Sequence, residues 1–364
     1  MAISDLAKRL KGTIKENKNA YMLSDYVNEG YIFTTPVPAL NIASSGSLDG
    51  GVTCGGITQI VGDSKSFKTC FALLHAASYL QKYEDGMLVV FDSEGGASFD
   101  YFKTFNIPPE KVLVIPISDV EELKQQIMSI LANVTRGEHV IFIIDSLGLL
   151  ASRKEINDAE AGKDTVDMTR AKSFTSFWRM VTGKLKLLQL RMFAINHYYE
   201  TMSLYPTKVV KGGKGGEWAS DTIWFISRSK IRENNETAGF KFTITVMKSR
   251  EIIEDAKIPI EVRYDGGIDV YSGLLDIARA TGHIESGKKG WYTRVNVEDD
   301  KSWRRAEMDS EFWKPVLEDR SFKSAVENLY KLNNNSDAML SSSRLQKIID
   351  GDDIEFNEET GEIL

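Results

Sequence analysis

The sequence of 364 residues is poor in cysteine and contains only Cys54 and Cys70. It also lacks a segment resembling a signal peptide, a long apolar run and a repeat of solenoid period. Two cysteines do not provide a disulfide framework, and such folds belong to oxidising compartments. We therefore expect a protein of a reducing cytoplasm without a membrane partner, in which both thiols are structural.

A basic excess is missing as well, because the formal net charge is −7. The acidity is concentrated in residues 348–364, which contain seven acidic residues and no lysine or arginine, so the remainder of the chain has a net charge of zero. Such a block is typical of a disordered, self-repelling interaction tail, and the alternative is a solvated terminus without a role. With 42% hydrophobic residues, the rest of the chain is sufficient for one or two domains.

What the chain does contain is a phosphate loop with one irregular position. Residues Ile57 to Val61 form an apolar run typical of a strand, Gly62 opens a loop, and Lys68 begins a pattern of helical spacing. The motif G-x-x-x-x-G-K-[ST] has glycine where this chain has Phe67, so we expect the loop to form without a residue free to adopt positive φ. Lys68 is predicted to reach the β- and γ-phosphates of ATP and Thr69 to bind Mg²⁺. The predicted nucleotide contacts are Gly62, Asp63, Ser64, Lys65, Ser66, Phe67, Lys68, Thr69 and Cys70.

Further apolar runs end in acidic residues, as expected for buried strands of a parallel sheet. Met87 to Phe91 is followed by Asp92-Ser93-Glu94, and Val112 to Ile115 is predicted to be a second buried strand. The apolar run from Val140 to Ile144 and the following Asp145 together form the Walker B pattern. In this pattern the carboxylate holds Mg²⁺ through water. The order of these motifs predicts a nucleotide-binding α/β protein.

Five segments in this order resemble the RecA-type strand-exchange recombinases, and most closely their bacteriophage UvsX-type branch. The segments are GDSKSFKT, VVFDSEGGASFDYF, VIFIIDSLGLLASRKEI, MFAINHYYE and VMKSREIIEDAKIPIEVRYDGGIDVYSG, and the resemblance covers about residues 35–295. Phe67 departs from the bacterial pattern but is similar to the phage branch. The resemblance implies a RecA-like P-loop ATPase core, and the cytoplasm of a host cell if the chain is encoded by a phage.

The resemblance also implies roles for residues outside the phosphate loop. Glu94 would polarise the attacking water, and Tyr101 and Tyr264 would contact adenine. His197, after Asn196, would sense the γ-phosphate and transmit its presence to a DNA-binding loop. Lys248 and Arg250 would reach the ATP of a neighbouring subunit as an arginine finger does. Each role has an alternative. Glu94 would be a surface carboxylate, and the two tyrosines would pack in the core. His197 would be structural, and Lys248 and Arg250 would lie at a solvated strand end.

Two segments are predicted DNA-binding loops: residues 157–169, which contain Gly162 and Lys163 and lack apolar periodicity, and residues 198–220, which are rich in glycine and lysine. Lysines neutralise phosphates, glycines permit close backbone approach, and aromatic rings such as Tyr198, Tyr199, Tyr205 and Trp218 can stack on bases. A generic flexible loop is the alternative. The predicted DNA contacts are Lys163, Lys208, Lys211, Gly212, Gly213, Lys214, Gly215 and Gly216.

We predict an α/β fold with a largely parallel, doubly wound sheet. Residues 1–34 are assigned to an N-terminal helical region, with an amphipathic helix at 3–18 that docks on a neighbouring subunit or on its own core. Residues 35–270 form the ATPase core, 271–332 a small C-terminal α/β subdomain, and 333–364 a polar linker and the acidic tail.

The predicted function is ATP- and Mg²⁺-dependent assembly of a helical filament on single-stranded DNA, followed by pairing and strand exchange with homologous duplex DNA. We expect a single-strand-binding protein and a recombination mediator as partners. A hexameric helicase of the same superfamily and a catalytically silent DNA-binding regulator of recombination are the alternatives. The intact Lys68, Glu94 and Asp145 argue against the silent regulator, and the second loop together with Lys248 and Arg250 argues against the helicase.

Overall fold

The computed structural model describes residues 31–332 except positions 54, 164–168, 203–206 and 299–300, together with Leu10. The helix predicted at 3–18 lies, apart from Leu10, outside the described residues. The polar linker, the acidic tail and Tyr205 also lie outside them.

The strands and helices follow one another in the alternating order of an α/β protein. The strands are β1 (Tyr31–Phe33), β2 (Val52–Thr53), β3 (Gly56–Gly62), β4 (Met87–Asp92), β5 (Val112–Pro116), β6 (Val140–Asp145), β7 (Arg191–Asn196), β8 (Tyr198–Glu200), β9 (Lys208–Val210), β10 (Thr222–Glu233), β11 (Glu236–Lys248), β12 (Lys257–Arg263), β13 (Gly267–Ile268), β14 (Ile284–Ser286), β15 (Trp291–Arg294) and β16 (Trp303–Arg304). The helices are α1 (Pro38–Ser45), α2 (Lys68–Lys82), α3 (Phe99–Thr104), α4 (Val120–Asn133), α5 (Arg153–Glu160), α6 (Thr169–Leu188), α7 (Lys214–Ala219), α8 (Leu274–Ala280), α9 (Ser310–Glu318) and α10 (Arg320–Tyr330). Single 3-10 turns lie at Pro109–Lys111, Leu147–Leu149, Lys288–Gly290 and Arg305–Glu307.

A nine-stranded sheet forms the centre of the fold, in the order β13-β12-β11-β10-β3-β7-β6-β4-β5. Strands β10, β3, β7, β6, β4 and β5 are parallel to their neighbours, whereas β11, β12 and β13 extend the sheet in antiparallel pairs. The parallel strands are joined through helices, as parallel pairing requires. The predicted largely parallel α/β sheet is confirmed.

Helices cover both faces of the sheet, because alternate side chains of its central strands enter different hydrophobic clusters. In β4, Leu88 and Val90 pack with the residues of α2, including Phe71. Val89 and Phe91 point to the opposite face and pack with the apolar residues of α4 and α6. This alternation is the period of two expected for a strand, and it produces the doubly wound arrangement.

The pairing register brings the polar ends of four parallel strands to one edge of the sheet. Asp92 at the end of β4 pairs with Asp145 at the end of β6. Val61, one residue before the end of β3, pairs with Asn196 at the end of β7. Ligands of open α/β sheets bind at the carboxyl ends of the strands, so this edge is the place to look for a site.

The structure corrects three expectations about local structure. Strand β5 is not buried on both faces but lies at the edge of the sheet, where Leu113 is 45% exposed. The segment 198–220 contains the antiparallel hairpin β8-β9 and the helix α7 rather than a continuous loop. In the segment 157–169, helix α5 continues to Glu160 under a capping box formed by Ser152 and Glu155, so only the residues after it can form a loop.

The C-terminal part contains the antiparallel sheet β14-β15-β16 and the helices α8, α9 and α10. Ile277, Phe312 and Phe322 are buried in the same hydrophobic cluster as the core residue Phe71. The packing thus joins this part to the core face that carries α2. No helix in the described part of the chain has the length and apolar character needed to cross a membrane.

Candidate active site

The phosphate loop lies between β3 and α2, and it closes around the amine of Lys68. The Lys68 Nζ donates hydrogen bonds to the carbonyl oxygens of Gly62, at 3.1 Å, and Asp63, at 2.6 Å. Burial lowers the pKa of Lys68, while the carboxylates of Asp145 and Glu94 act in the opposite direction. The amine is therefore held inside the loop, where a phosphate-binding lysine is required.

Phe67 has the left-handed backbone conformation, with a φ of +67°. The expectation that the loop would form without a positive φ is therefore wrong. The Phe67 ring stacks on Phe242 at a centroid distance of 4.9 Å and meets Phe71 edge-on at 5.4 Å. A left-handed conformation costs a residue with a side chain roughly 1–2 kcal/mol. Contacts between aromatic rings offset a cost of this size.

Thr69 and Asp145 join the start of α2 to the end of β6. The Thr69 hydroxyl donates a hydrogen bond of 2.7 Å to Oδ2 of Asp145. Burial raises the pKa of Asp145 to about 6; the Thr69 bond opposes this shift, and the nearby carboxylates of Glu94 and Asp92 add to it. A hydroxyl and a carboxylate are hard oxygen donors, which Mg²⁺ prefers. The donor set fits the predicted magnesium site.

Glu94 lies in the loop after β4, and Asp92 holds this loop in shape. One carboxylate oxygen of Asp92 accepts hydrogen bonds from the backbone N–H groups of Glu94, at 3.0 Å, and Gly95, at 2.8 Å. The Oε1 atom of Glu94 accepts a bond of 2.6 Å from the Ser146 hydroxyl and lies 3.8 Å from Nε2 of His197. The Glu94 side chain is 40% exposed, so water can reach a carboxylate whose orientation is fixed.

The imidazole of His197 lies between the phosphate loop and the second predicted DNA segment. Burial lowers the pKa of His197, and the nearby Lys68 amine acts in the same direction. The ring is therefore neutral at pH 7 and has one N–H donor. It packs on Gly148, where an added Cβ would come within 2.7 Å of the His197 ring. Only glycine at position 148 leaves room for this ring.

A cavity of about 710 Å³ opens beside the phosphate loop, and the predicted adenine-contacting residues Tyr101 and Tyr264 both line it. The Tyr101 hydroxyl lies 3.2 Å from the Sγ of Cys70, so this thiol contacts a lining residue of the cavity. Tyr264 is 71% exposed, and its ring meets that of Phe240 edge-on. An exposure this high does not fit the alternative of core packing for Tyr264.

Asn196 and Gln59 connect the nucleotide edge to the middle and to the last residue of the second DNA segment. The Asn196 Nδ2 donates to the carbonyl of Lys211 at 2.8 Å and to Oε1 of Gln59 at 3.3 Å. The Gln59 Nε2 in turn donates to the hydroxyl of Ser220 at 2.9 Å. Because the Asn196 and Gln59 side chains are buried, these hydrogen bonds are shielded from water and tie strands β3 and β7 to the segment.

The hairpin β8-β9 is also bonded directly to the phosphate loop. The Tyr198 hydroxyl donates a hydrogen bond of 3.0 Å to Oδ2 of Asp63. The Lys208 amine lies 4.6 Å from the centre of the Tyr198 ring, a cation–π contact across the hairpin. The chain then turns at Gly212 and Gly213, which have φ angles of +96° and +80°.

The predicted DNA contacts of this segment differ in accessibility. Lys208, Gly213 and Lys214 are exposed, whereas Lys211, Gly212 and Gly215 are partly buried. Gly216 is buried, and a Cβ there would lie 2.8 Å from the amide nitrogen of Gln59 and 3.0 Å from the indole nitrogen of Trp178. A direct DNA contact does not fit this position, where glycine permits close packing. By contrast, Trp218 on the same helix is 73% exposed.

In the first predicted DNA segment, Lys163 is exposed after the turn that follows α5. Its backbone N–H donates to the carbonyl of Asp158 at 2.8 Å. At the far end of the segment, the guanidinium of Arg170 donates to the carbonyls of Leu150, at 2.6 Å, and Gly148, at 3.0 Å. These bonds fasten the start of α6 beside the end of β6.

Lys248 and Arg250 lie beside the amino ends of the parallel strands, whereas the phosphate loop lies at their carboxyl ends. Lys248 pairs with Ile223 at the start of β10, and Thr222 beside it pairs with Thr58 near the start of β3. The phosphate loop begins where β3 ends, so the structure does not bring the two cations to the phosphate loop of their own chain. Arg250 lines a separate cavity of about 430 Å³.

Several residues of the site were missed by the sequence analysis. Ser146 bonds Glu94, and Asp221 forms an ion pair with Arg250 at 3.1 Å. Arg228 lines the larger cavity and donates to the carbonyl of Lys65 at 3.1 Å. The only signal in the sequence was position, because Ser146 directly follows the Walker B aspartate. The other contacts join residues distant in sequence.

Two models of known protein families match the chain, and together they cover most of it. The model of the RecA N-terminal domain matches residues 18–269. The model of the C-terminal domain of the bacteriophage T4 recombination and repair protein matches residues 271–326.

Individual proteins are similar over nearly the same length. The recombination and repair protein of Enterobacteria phage T4 is 36% identical over 340 residues, which cover 91% of this chain and 87% of that protein. Protein RecA of Nocardioides sp. is 25% identical over 261 residues, covering 71% of this chain and 72% of that protein. Protein RecA of Aquifex aeolicus is 25% identical over 300 residues, covering 80% and 81%.

Proposed function

The chain belongs to the RecA family of recombinases, with the bacteriophage T4 recombination and repair protein, and from this we propose a DNA-dependent ATPase that assembles helical filaments on single-stranded DNA. It is an ATP-dependent recombinase. The filament would pair its strand with a homologous duplex and exchange strands. Acceptance of any sequence requires contacts to the DNA backbone and to base faces rather than to base edges.

The observation that supports this proposal most strongly is that the nucleotide-binding residues are directly linked to the protein hairpin β8-β9 of the second predicted DNA-binding segment. His197 lies 3.8 Å from the carboxylate of Glu94, and the next residue, Tyr198, opens the hairpin and bonds Asp63 of the phosphate loop. A nucleotide that moves Glu94, His197 or the loop therefore acts on the hairpin. This link would make DNA affinity depend on ATP.

In the proposed reaction, Lys68 binds the β- and γ-phosphates, and Glu94 orients the attacking water while Ser146 fixes its carboxylate. Thr69 and Asp145 would hold Mg²⁺, which neutralises phosphate charge when bound. Phosphoryl transfer depends on positioning and electrostatic stabilisation. These residues supply the positioning.

Lys248 and Arg250 would complete the site from the adjacent subunit. Both lie at the sheet edge away from their own phosphate loop, so a head-to-tail contact can place them at the loop of a neighbour. A head-to-tail contact whose rotation does not close produces a helical filament. We also propose that a single-strand-binding protein and a recombination mediator assist assembly on DNA.

The test is ATP hydrolysis by the purified protein with and without single-stranded DNA, together with electron micrographs of the same samples and a strand-exchange assay. We expect DNA to stimulate hydrolysis, extended helical filaments to form, and strands to exchange. Stimulation accompanied by closed rings would instead identify a helicase. DNA binding without hydrolysis would identify a silent regulator.

A further inference from the structure

The two cations assigned to a neighbouring nucleotide are both held by one short stretch of their own chain. The Lys248 amine donates a hydrogen bond of 2.6 Å to the carbonyl of Glu217, near the end of α7. The Nε atom of Arg250 lies 3.1 Å from Oδ1 of Asp221. Residues 217–221 also close the second DNA segment. The end of this segment therefore holds both cations.

The carboxylate of Asp221 is fixed by partners other than Arg250. Its Oδ2 atom accepts a hydrogen bond of 3.1 Å from the backbone N–H of Ile57, the second residue of β3. Its Oδ1 atom lies 3.0 Å from the amine of Lys186 on α6. The Asp221 side chain is only 12% exposed. A carboxylate bonded to a strand and a helix keeps one position relative to the sheet.

Arg250 is the more accessible member of this ion pair, because its side chain is 67% exposed, against 12% for that of Asp221. The contact with Asp221 is made through Nε, and a guanidinium has further N–H donors on its two terminal nitrogens. Paired terminal donors are the groups with which arginine binds a phosphate in two parallel bonds. The ion pair keeps the guanidinium beside Asp221 and leaves its terminal nitrogens as donors for a phosphate.

The surroundings suit an anionic group of another molecule. A cavity of about 430 Å³ is lined by four cationic residues, Arg136, Lys186, Arg191 and Arg250, and by the two acidic residues Asp221 and Glu251. Four cations thus face two carboxylates around this cavity. Its lining residues Arg191 and Thr222 are the first residues of β7 and β10, so the cavity lies at the amino ends of the parallel strands.

We propose that Asp221 is a positioning residue for ATP hydrolysis, which orients Arg250 toward the phosphates bound by the adjacent subunit. This inference rests on the proposed function, since it requires Arg250 to act on a neighbour's ATP.

The experiment compares Asp221→Asn, Arg250→Ala and the double variant in the full chain. Steady-state ATP turnover is measured with saturating single-stranded DNA, and binding of a fluorescent ATP analogue is measured without DNA. Asp276→Asn is the matched control, because it makes the same change at an exposed aspartate that pairs with Arg279 on α8 and does not line this cavity. Thermal midpoints report whether each variant folds.

We expect Arg250→Ala to lower kcat by roughly 10³-fold, the effect of losing an arginine finger. Asp221→Asn should lower kcat by about tenfold or more, the order of loss caused by a misplaced catalytic group. Both variants should retain the affinity for the ATP analogue, and Asp276→Asn should stay within about twofold of the wild type. The double variant should be no slower than Arg250→Ala, because a residue that acts through another adds nothing once that residue is gone.

Normal turnover by Asp221→Asn beside a slow Arg250→Ala would overturn the inference and leave the proposed function intact. Normal turnover by Arg250→Ala would instead overturn the assignment of Arg250 to the neighbour's ATP. A double variant slower than Arg250→Ala by the full Asp221→Asn factor would show that Asp221 acts independently of Arg250.

Arg250→Lys provides a test that leaves Asp221 unchanged, should Asp221→Asn not fold. The lysine keeps the charge, but its single ammonium cannot hold Asp221 and also present a planar pair of donors. We expect turnover well below that of the wild type. Wild-type turnover by Arg250→Lys would contradict the proposed orientation of the guanidinium.

Discussion

One residue of the phosphate loop, Phe67, contributes both to the backbone conformation of the loop and to its packing. Phe67 adopts the backbone conformation that glycine usually supplies and fills the space between Phe242 and Phe71. From the sequence, the residue at this position was evident but its φ was not. The conformation is fixed by contacts with Phe242, which lies far along the chain, so no local pattern reports it.

The two contributions of Phe67 can be separated with a pair of variants. Phe67→Ala and Phe67→Gly both remove the ring, and we expect each to be less stable than the wild type by about 2 kcal/mol or more. Only the glycine variant relieves the left-handed strain, so it should be more stable than the alanine variant by about 1 kcal/mol. Urea denaturation measures the difference. An alanine variant as stable as the glycine variant would contradict the strain.

A buried histidine makes stability depend on pH. His75 is enclosed, with Nδ1 2.8 Å from the carbonyl of Phe71 and Nε2 3.2 Å from the hydroxyl of Ser44. Burial lowers the pKa of His75 from 6.5 to about 4. Between these values the unfolded chain binds the extra proton, so stability is complete above pH 6.5 and falls as the pH is lowered toward 4.

We expect this residue to account for about 3 kcal/mol of the stability lost over that interval. His75→Gln cannot titrate there, so its free energy of unfolding should depend less steeply on pH than that of the wild type. Urea unfolding of both proteins at several pH values gives the comparison. Parallel pH profiles for the two proteins would refute the assignment.

At the scale of elements, the sequence predicted which apolar runs with polar ends form strands. It did not predict which strands lie next to one another in the sheet. Strands β3, β4 and β6 were recognised because a strand buried on both faces has a continuous apolar sequence. Strand β5 has a similar sequence, Val112–Pro116, but lies at the edge of the sheet. Strand order is a property of the whole sheet, so a short apolar run does not reveal it.

The second DNA segment shows the same limit. Its glycines and lysines predicted a loop, whereas Tyr198 pairs with Val210 in a hairpin and Lys214 begins a helix. The bond between Tyr198 and Asp63 depends on strands β3 and β7 being adjacent. Composition identified the segment as a candidate interface, but the contacts that link it to the phosphate loop required the fold.

Tyr198→Phe tests that link, because it removes the hydroxyl that bonds Asp63 and keeps the ring beside Lys208. We expect the gain in single-stranded DNA affinity caused by ATP to fall by roughly fivefold, the loss of about 1 kcal/mol of coupling. Fluorescence anisotropy with labelled DNA, with and without a slowly hydrolysed ATP analogue, measures it. Tyr199→Phe is the control, since Tyr199 is 52% exposed in the same hairpin. Equal losses in both variants would refute the specific role of Tyr198.

At the scale of the whole molecule, the parts assigned to catalysis are divided between opposite edges of one sheet. Lys68, Glu94 and Asp145 lie at the carboxyl ends of the parallel strands, whereas Lys248 and Arg250 lie beside their amino ends. If Lys248 and Arg250 act on ATP, they must therefore act on the ATP of another subunit. The family resemblance implied such a shared site from the sequence, and this separation in the fold supports the proposal.

The most direct test of a shared site mixes two inactive variants. In Lys68→Ala the phosphate loop is disabled, and in Lys248→Ala the donated cation is missing, so each protein alone should show little DNA-stimulated ATP hydrolysis. In an equal mixture, about a quarter of the head-to-tail contacts pair an intact loop with an intact cation. We predict recovery of ATP turnover toward a quarter of the wild-type rate. A mixture as inactive as its components, while still assembling on DNA, would contradict a site built from two subunits.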